Sequence, residues 1–300
     1  MPIRLLSLPA PDLQYALNCM DICDLIAFSL CSKQTKNLVK SSNRKIQLIF
    51  ADIDEKCIRI NIWAKNQKQK DESIFFNFYD SWLEIDRHRR KITFWTKQEF
   101  TRSDWIAHFM NIFKVSMIQR LVIGNVRLSY LDTVKQIIPK CQTLLIREHC
   151  SNNVARMTFL KLSPIVVDTV EVETNIFDKE NDLSKFLTLN LRSAIFHDWL
   201  NPFELKLEDL LTLNIVNLIF GATIITESEL NRFLKLWLKK NHGFYRPKDI
   251  KLFFERKLNR EEVLRGIKHE IAGYEARLKR RDGKELEVYI AANCICFKFL

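Results

Sequence analysis

The chain has 300 residues, 47% of them hydrophobic and 28% charged, which is room for one large or two modest domains of ordinary globular composition. No stretch approaches the roughly 18 uninterrupted apolar residues of a membrane span, and Pro9, Pro11 and Asp12 break up the short apolar N-terminus where a signal peptide needs continuity. The net charge of +11 is concentrated between Arg232 and Lys284, where 17 Lys and Arg face 7 Asp and Glu, a balance that suits acidic partners or simply a solvated basic surface.

The N-terminus predicts three short helices, over residues 9–20, 21–29 and 32–41. Leu13, Leu17 and Met20 recur at helical spacing, Asp21 is placed to cap the second helix and Ser32 the third. So small a bundle has little interior, and its surplus of apolar side chains points to a protein partner. Some of these leucines must face inward, and spacing alone does not separate them from those that face out.

After Lys45 the pattern changes to alternation: Ile46, Leu48 and Phe50, then Ile58, Ile60 and Ile62, with Asp52–Glu55 between them as a hairpin turn. Residues 76–78 and 92–94 read as further strands, and the polar run Lys65–Glu72 as an exposed loop. Ser103 opens a helix with Ile106, Phe109, Met110 and Phe113 on one stripe. From there strand-like runs near 119–124, 142–147, 168–173, 193–197, 215–220 and 249–254 alternate with helix-like segments. That period matches a leucine-rich repeat without its consensus asparagines, or an ordinary parallel α/β sheet. Asn201-Pro202-Phe203-Glu204 carries the signature of a helix start, as do Thr226 with Glu229 and Asn259 with Glu262. Leu230, Phe233, Leu234, Trp237 and Leu238 form a core stripe behind the second of these. Asp282-Gly283 marks a hairpin between strands 274–280 and 286–291, and Ile295, Phe297 and Phe299 end the chain on one apolar face.

The eight cysteines lack zinc-type pairing and read as buried small hydrophobes, with Cys294 and Cys296 on one face of a strand. Cys141, His149 and Cys150 are the nearest approach to a metal set, without a fourth ligand, so no metal site is expected. The six histidines are scattered, and no phosphate loop, nucleophile elbow or His-Glu-x-x-His motif is present, so no catalytic residue and no cofactor is assigned. Arg87–Lys91 and Lys279–Arg281 are compact basic runs that leave nucleic-acid binding as a weaker alternative.

Leu8-Pro9, Ala16-Leu17, Asp24-Leu25 and Cys31-Ser32-Lys33, running ungapped to Leu38, resemble an F-box, with Ala16 and Gln34-Thr35 departing from its common form. Glu229–Trp237, followed by Gly266-Ile267-Lys268, resembles an F-box-associated domain of the nematode type. The resemblance implies an adaptor of a cullin-based ubiquitin ligase in the cytoplasm or nucleus, not itself an enzyme. Its partners would be a Skp-family adaptor, the cullin complex and an unknown protein substrate. Docking would fall to Leu8, Pro9, Leu13, Leu17, Leu25, Leu30, Cys31 and Lys33. A plain interaction scaffold that recruits no ligase is the other reading. The expected architecture is α+β. A three-helix F-box over 1–45 precedes a leucine-rich-repeat-like α/β domain with short β-hairpins over 46–300, whose leading part, 46–100, is β-rich.

Overall fold

The computed structural model describes residues 5–44, 46, 48–66, 69–79, 82–87, 93–177, 182–239, 245–273 and 275–300. The chain divides into two compact units, residues 1–122 with 126–142 and residues 123–125 with 143–300. The fold is mixed α and β, with helices first and large sheets after them.

The first unit opens with a 3-10 turn, Leu5–Ser7, and helices α1 (Ala10–Cys19), α2 (Ile22–Cys31) and α3 (Lys33–Ser41). Pro9 and Pro11 start α1, where a missing N–H costs nothing. Asp21 caps α2 by accepting from the Asp24 N–H at 2.8 Å, and Ser32 and Thr35 cap α3 reciprocally. A meander follows: β1 (Leu48–Ile53), β2 (Ile58–Asn66), β3 (Gln69–Phe78), β4 (Trp82–Arg87) and β5 (Thr93–Thr96), each antiparallel to the next. The loop expected over Lys65–Glu72 is instead mostly strand, with Ala64 opposite Glu72 and Asn66 opposite Gln69. Backbone pairing does not require apolar side chains, so a polar run hides a strand that continues past the core. Ile92 and most of the basic run Arg87–Lys91 lie outside the described residues.

Helix α4 (Arg102–Ile112) lays Phe109 against Phe76 with ring centroids 5.7 Å apart, and Trp105 against Phe78 at 6.4 Å. Its cap is a Thr101–Asp104 box, so the helix starts ahead of the expected Ser103. Strand β6 (Ile118–Ile123) lies beside β1, and α5 (Leu128–Ile137) follows.

The second unit contains β7 (Cys141–Ile146), α6 (Asn152–Leu162), β8 (Val166–Val172), α7 (Asp182–Leu187), β9 (Ser193–Phe196), β10 (Phe203–Glu204), α8 (Leu207–Thr212), β11 (Asn217–Phe220), β12 (Thr223–Ile224) and α9 (Glu227–Leu238). It continues with β13 (Asp249–Phe253), α10 (Arg260–Val263), β14 (Glu270–Ala272), β15 (Glu275–Lys279), β16 (Glu285–Ile290) and β17 (Cys294–Phe299). The strand order is β7-β8-β9-β11-β13-β17-β16-β15-β14. Strands β8, β9, β11 and β13 pair in parallel, and β13, β17, β16, β15 and β14 pair antiparallel.

The side-chain period of two separates the faces of this sheet. Val170, Ala194, Leu218, Ile250, Phe297, Val288 and Ala276 form one ladder across seven strands, and all are buried. Phe159 of α6 and Phe233 of α9 pack on this face, 6.4 Å from Phe196 and 5.4 Å from Phe297. The neighbouring ladder, Glu171, Ile195, Ile219, Lys251, Cys296, Tyr289 and Glu275, points the other way and is half-buried or exposed.

The strand–helix rhythm is therefore real between β7 and β13, but it does not extend over 46–300. A meander precedes it in the chain and antiparallel strands follow it, so the C-terminal part is a large sheet and not a uniform repeat. The helix expected at Asn201–Glu204 is also absent. The buried Asp198 carboxylate accepts from the Leu200 and Asn201 N–H groups at 3.0 and 2.9 Å, and buried Phe203 pairs in parallel with Thr223 in β12. A cap-like sequence has been drawn into strand pairing, and the helix starts later, at Leu207.

Candidate partner-docking site

The N-terminal helices are held on the first unit by polar contacts at a mostly apolar seam. Helix α2 buries Ile22, Cys23, Leu25, Ile26 and Ser29. The Ser29 hydroxyl donates to the Ile26 carbonyl at 2.6 Å, and its oxygen lies 2.8 Å from His108 Nε2 of α4. With its single hydrogen already committed, Ser29 accepts, so His108 is the neutral Nε2–H tautomer. Gln14 reaches the Ser42 carbonyl at 3.4 Å and Arg44 the Asn18 carbonyl at 2.6 Å, which ties α1 to the end of α3.

Burial pulls the His108 pKa from 6.5 down to about 4, assisted by the charges of Lys36 and Lys97. A depressed histidine stabilises the fold fully above about pH 6.5, and that support is lost as pH falls toward 4, because the unfolded chain takes up the proton first. The loss reaches up to about 3 kcal/mol. His108→Gln keeps an N–H for Ser29 and removes the titration. Urea denaturation at pH 7 and pH 4.5 is expected to show wild type losing about 2 kcal/mol more than His108→Gln. Equal losses would remove His108 as the cause.

The structure sorts the sequence-predicted docking residues into groups. Leu17 and Leu25 are fully buried. Leu8, Leu13 and Leu30 are half-buried, and Pro9, Cys31 and Lys33 are exposed. Two exposed apolar side chains that periodicity passed over stand on the same segment: Leu6 at 49% exposure and Tyr15 at 73%. Tyr15 falls off the Leu13–Leu17 stripe. That offset is the signal in the sequence, because an aromatic outside the inward stripe of a short helix has no internal neighbour to cover it.

In the second unit, Thr226 and Glu229 cap α9 reciprocally, and Leu230, Asn231, Phe233, Leu234 and Trp237 are buried. The Asn231 amide donates to the Val263 and Arg265 carbonyls at 2.8 and 3.0 Å. It thereby holds the end of α10, where Gly266 takes a φ of +69°. The Leu-Asn-x-Phe-Leu-x-x-Trp pattern is thus a folding motif: its apolar members fill the core and its asparagine pins a turn.

Residues 5–47 match the family model of the F-box domain. The N-terminal module is an F-box. Residues 182–243 match the model described as F-box associated, a segment that runs from α7 through α9. No curated protein and no solved structure matches this chain. The F-box helices and α4 belong to one unit, whereas the F-box-associated segment lies in the other.

Among the described residues, no group of three or more His, Cys, Asp or Glu is arranged to hold a metal ion. Cys141 and Cys150 are buried and His149 is exposed. Burial raises the Cys141 thiol to about 12, and the Cys150 thiol is 3.3 Å from the Ile123 carbonyl, so both behave as the expected small core residues. Among the described residues, no helix is long and apolar enough to cross a membrane.

Proposed function

We propose that the chain is the substrate-recognition adaptor of a Skp–cullin–F-box ubiquitin ligase. The observation that carries this is the F-box over residues 5–47, whose helices leave Leu6 and Tyr15 uncovered while Leu17 and Leu25 hold them together. In this reading, Leu6, Leu8, Leu13, Tyr15 and Leu30 dock on a Skp-family adaptor in the cytoplasm or nucleus. Pro9 sets the start of α1, and Cys31 and Lys33 lie at the rim. Leu17 and Leu25 act indirectly, by fixing the helices that carry the others. Each side chain fully buried at the interface contributes roughly 1.5–3 kcal/mol before the cost of association.

The functional division falls near residue 45. The chain beyond it, with its nematode-type F-box-associated segment and a parallel run of leucine-rich-repeat-like character, binds a protein substrate. The sheet face bearing Glu171, Ile195, Ile219 and Lys251 is the surface offered to that substrate, since the helices occupy the other face. Ubiquitin transfer belongs to the partner subunits.

Co-expression of the full chain with a Skp-family adaptor, followed by size exclusion, tests the proposal. A co-eluting complex is expected. A folded chain that elutes alone would overturn the adaptor reading and favour a scaffold that recruits no ligase.

A further inference from the structure

Strand β17 carries Cys294 and Cys296 two residues apart, so both side chains rise from the same face of the sheet. Both are free thiols and half-buried, on the face that the helices leave open. The two thiols hydrogen-bond to one another. On the neighbouring strands, Cys294 lies opposite Phe253, and Cys296 lies opposite Lys251 on one side and Tyr289 on the other. The Trp199 ring packs edge-on against Phe253 with centroids 5.5 Å apart, so aromatic surface flanks the Cys294 end of the pair. A cleft of about 220 Å³, lined in part by Lys251, Tyr289 and Cys296, gives access from solvent.

Strand geometry decides what such a pair can hold. Strand β17 pairs in unbroken register with β13 and with β16, so it is held extended on both sides. At about 3.3 Å of rise per residue, parallel side chains two residues apart stand about 6.6 Å apart at their bases. A disulfide needs its Cβ atoms within about 4.5 Å, so closing one would pull β17 out of both ladders. A single ion bridging the two sulfurs demands less: two metal–thiolate bonds of roughly 2.3 Å span up to about 4.6 Å, the scale of two thiols in contact. Thiolates select soft ions, which sets aside magnesium and calcium. Among the described residues, no group of three or more His, Cys, Asp or Glu is arranged to hold a metal, which leaves zinc and iron–sulfur clusters short of protein ligands. Monovalent copper is soft and is satisfied by two thiolates. Its complex with the pair keeps one residual negative charge. The Lys251 ammonium offsets that charge, acting on Cys296 more strongly than the Asp249 carboxylate does.

We propose that Cys294 and Cys296 form a two-thiolate site for a monovalent copper ion. Each thiol gives its proton to solvent as its copper–sulfur bond forms, and no electron is transferred. The site is independent of the adaptor reading and stands whether or not the chain recruits a ligase.

The test loads the reduced full chain with copper(I) under anaerobic conditions and strips loosely held metal with bicinchoninate before desalting. One copper ion per chain is expected to remain, and X-ray absorption is expected to show two sulfur neighbours. Cys294→Ser and Cys296→Ser, each alone, should release the ion, since loss of a direct ligand exceeds the roughly 10–100-fold that an outer-shell partner costs. Cys294→Ala and Cys296→Ala repeat the measurement without a new hydroxyl in the half-buried strand, and thermal melts matching wild type show that the variants are folded. Cys19→Ser with Cys57→Ser, two thiols elsewhere in the chain, should retain the ion. Full release from wild type overturns the proposal, as does retention by the folded Cys294 or Cys296 variants. Release from the Cys19 and Cys57 variant, or a copper centre with three or more sulfurs, places thiols outside the pair in the site and overturns it too. Zinc held under the same competition in place of copper assigns the pair to that ion and overturns it equally.

Discussion

Leu25→Asp is expected to unfold the N-terminal helices, whereas Leu13→Asp with Tyr15→Asp leaves them folded and removes Skp-family binding. Leu25 has no exposed surface, and α2 around it is buried on most sides. Deleting a buried leucine costs about 2–5 kcal/mol, and a buried unpaired carboxylate adds several more. That approaches the total stability of an ordinary domain. Tyr15, by contrast, is 73% exposed and Leu13 only half-buried, so charge there costs the free chain little. At an interface the same two changes forfeit two apolar anchors and bury two charges, a loss of about 100-fold or more. Thermal melts of the full chain, followed by size exclusion with the adaptor, separate the two effects. A Leu13/Tyr15 variant that is folded and still co-elutes as wild type would sink the assignment of the docking face.

Phe196→Ala should destabilise the second unit by about 4 kcal/mol. Phe196 is fully buried, stacks on Phe220 at 4.8 Å and meets Phe203, Phe177 and Phe159 at 5.5, 5.6 and 6.4 Å. The ring joins the sheet to α6 and to the segment leading into α8. Its removal opens a cavity that these four neighbours cannot close together, so relaxation recovers little. Urea denaturation of the full chain reports the change. Phe94→Ala, at a ring 60% exposed, should cost well under 1 kcal/mol in the same assay. A loss at Phe196→Ala no larger than that at Phe94→Ala would show that the aromatic cluster does not carry the stability of the second unit.

The contrast between these phenylalanines illustrates how the chain encodes its fold. Alternation placed the strands of the parallel run within a few residues, because β8, β9, β11 and β13 each bury one face under helices and must alternate. Caps were equally legible. Asp21, Ser32, Thr226 and Asn259 all accept from the first-turn N–H groups that they were expected to serve, since capping is an interaction within four residues. Legibility failed where a distant segment intervened. Asn201-Pro202-Phe203-Glu204 satisfies every local rule for a helix start, yet Phe203 is drawn into pairing with β12 and buried among Phe177, Phe196 and Phe220. The loop expected at Lys65–Glu72 became strand because its partner supplies backbone bonds that side-chain polarity does not reveal.

The docking segment divides in the same way. Its identity lies in residues close together in the chain, from Leu8-Pro9 to Lys33, and could be read there. Which of its leucines face outward depends on α4 and on the turn after α3, through His108, Ser29, Gln14 and Ser42. The basic residues of the second unit are a stronger case. Arg246, Lys248, Arg280 and Lys284 appear in the sequence as part of a diffuse cationic stretch. Only strand pairing brings Lys248 and Lys284 to one cleft, and only the local carboxylates show which cations are already answered. The sequence by itself determined the F-box, the helix caps, the alternating strands and the basic balance, because each arises from composition or from neighbours within a few residues. The tertiary structure alone decided which apolar residues remain uncovered and which charges remain unpaired, because burial and pairing are properties of segments far apart in the chain.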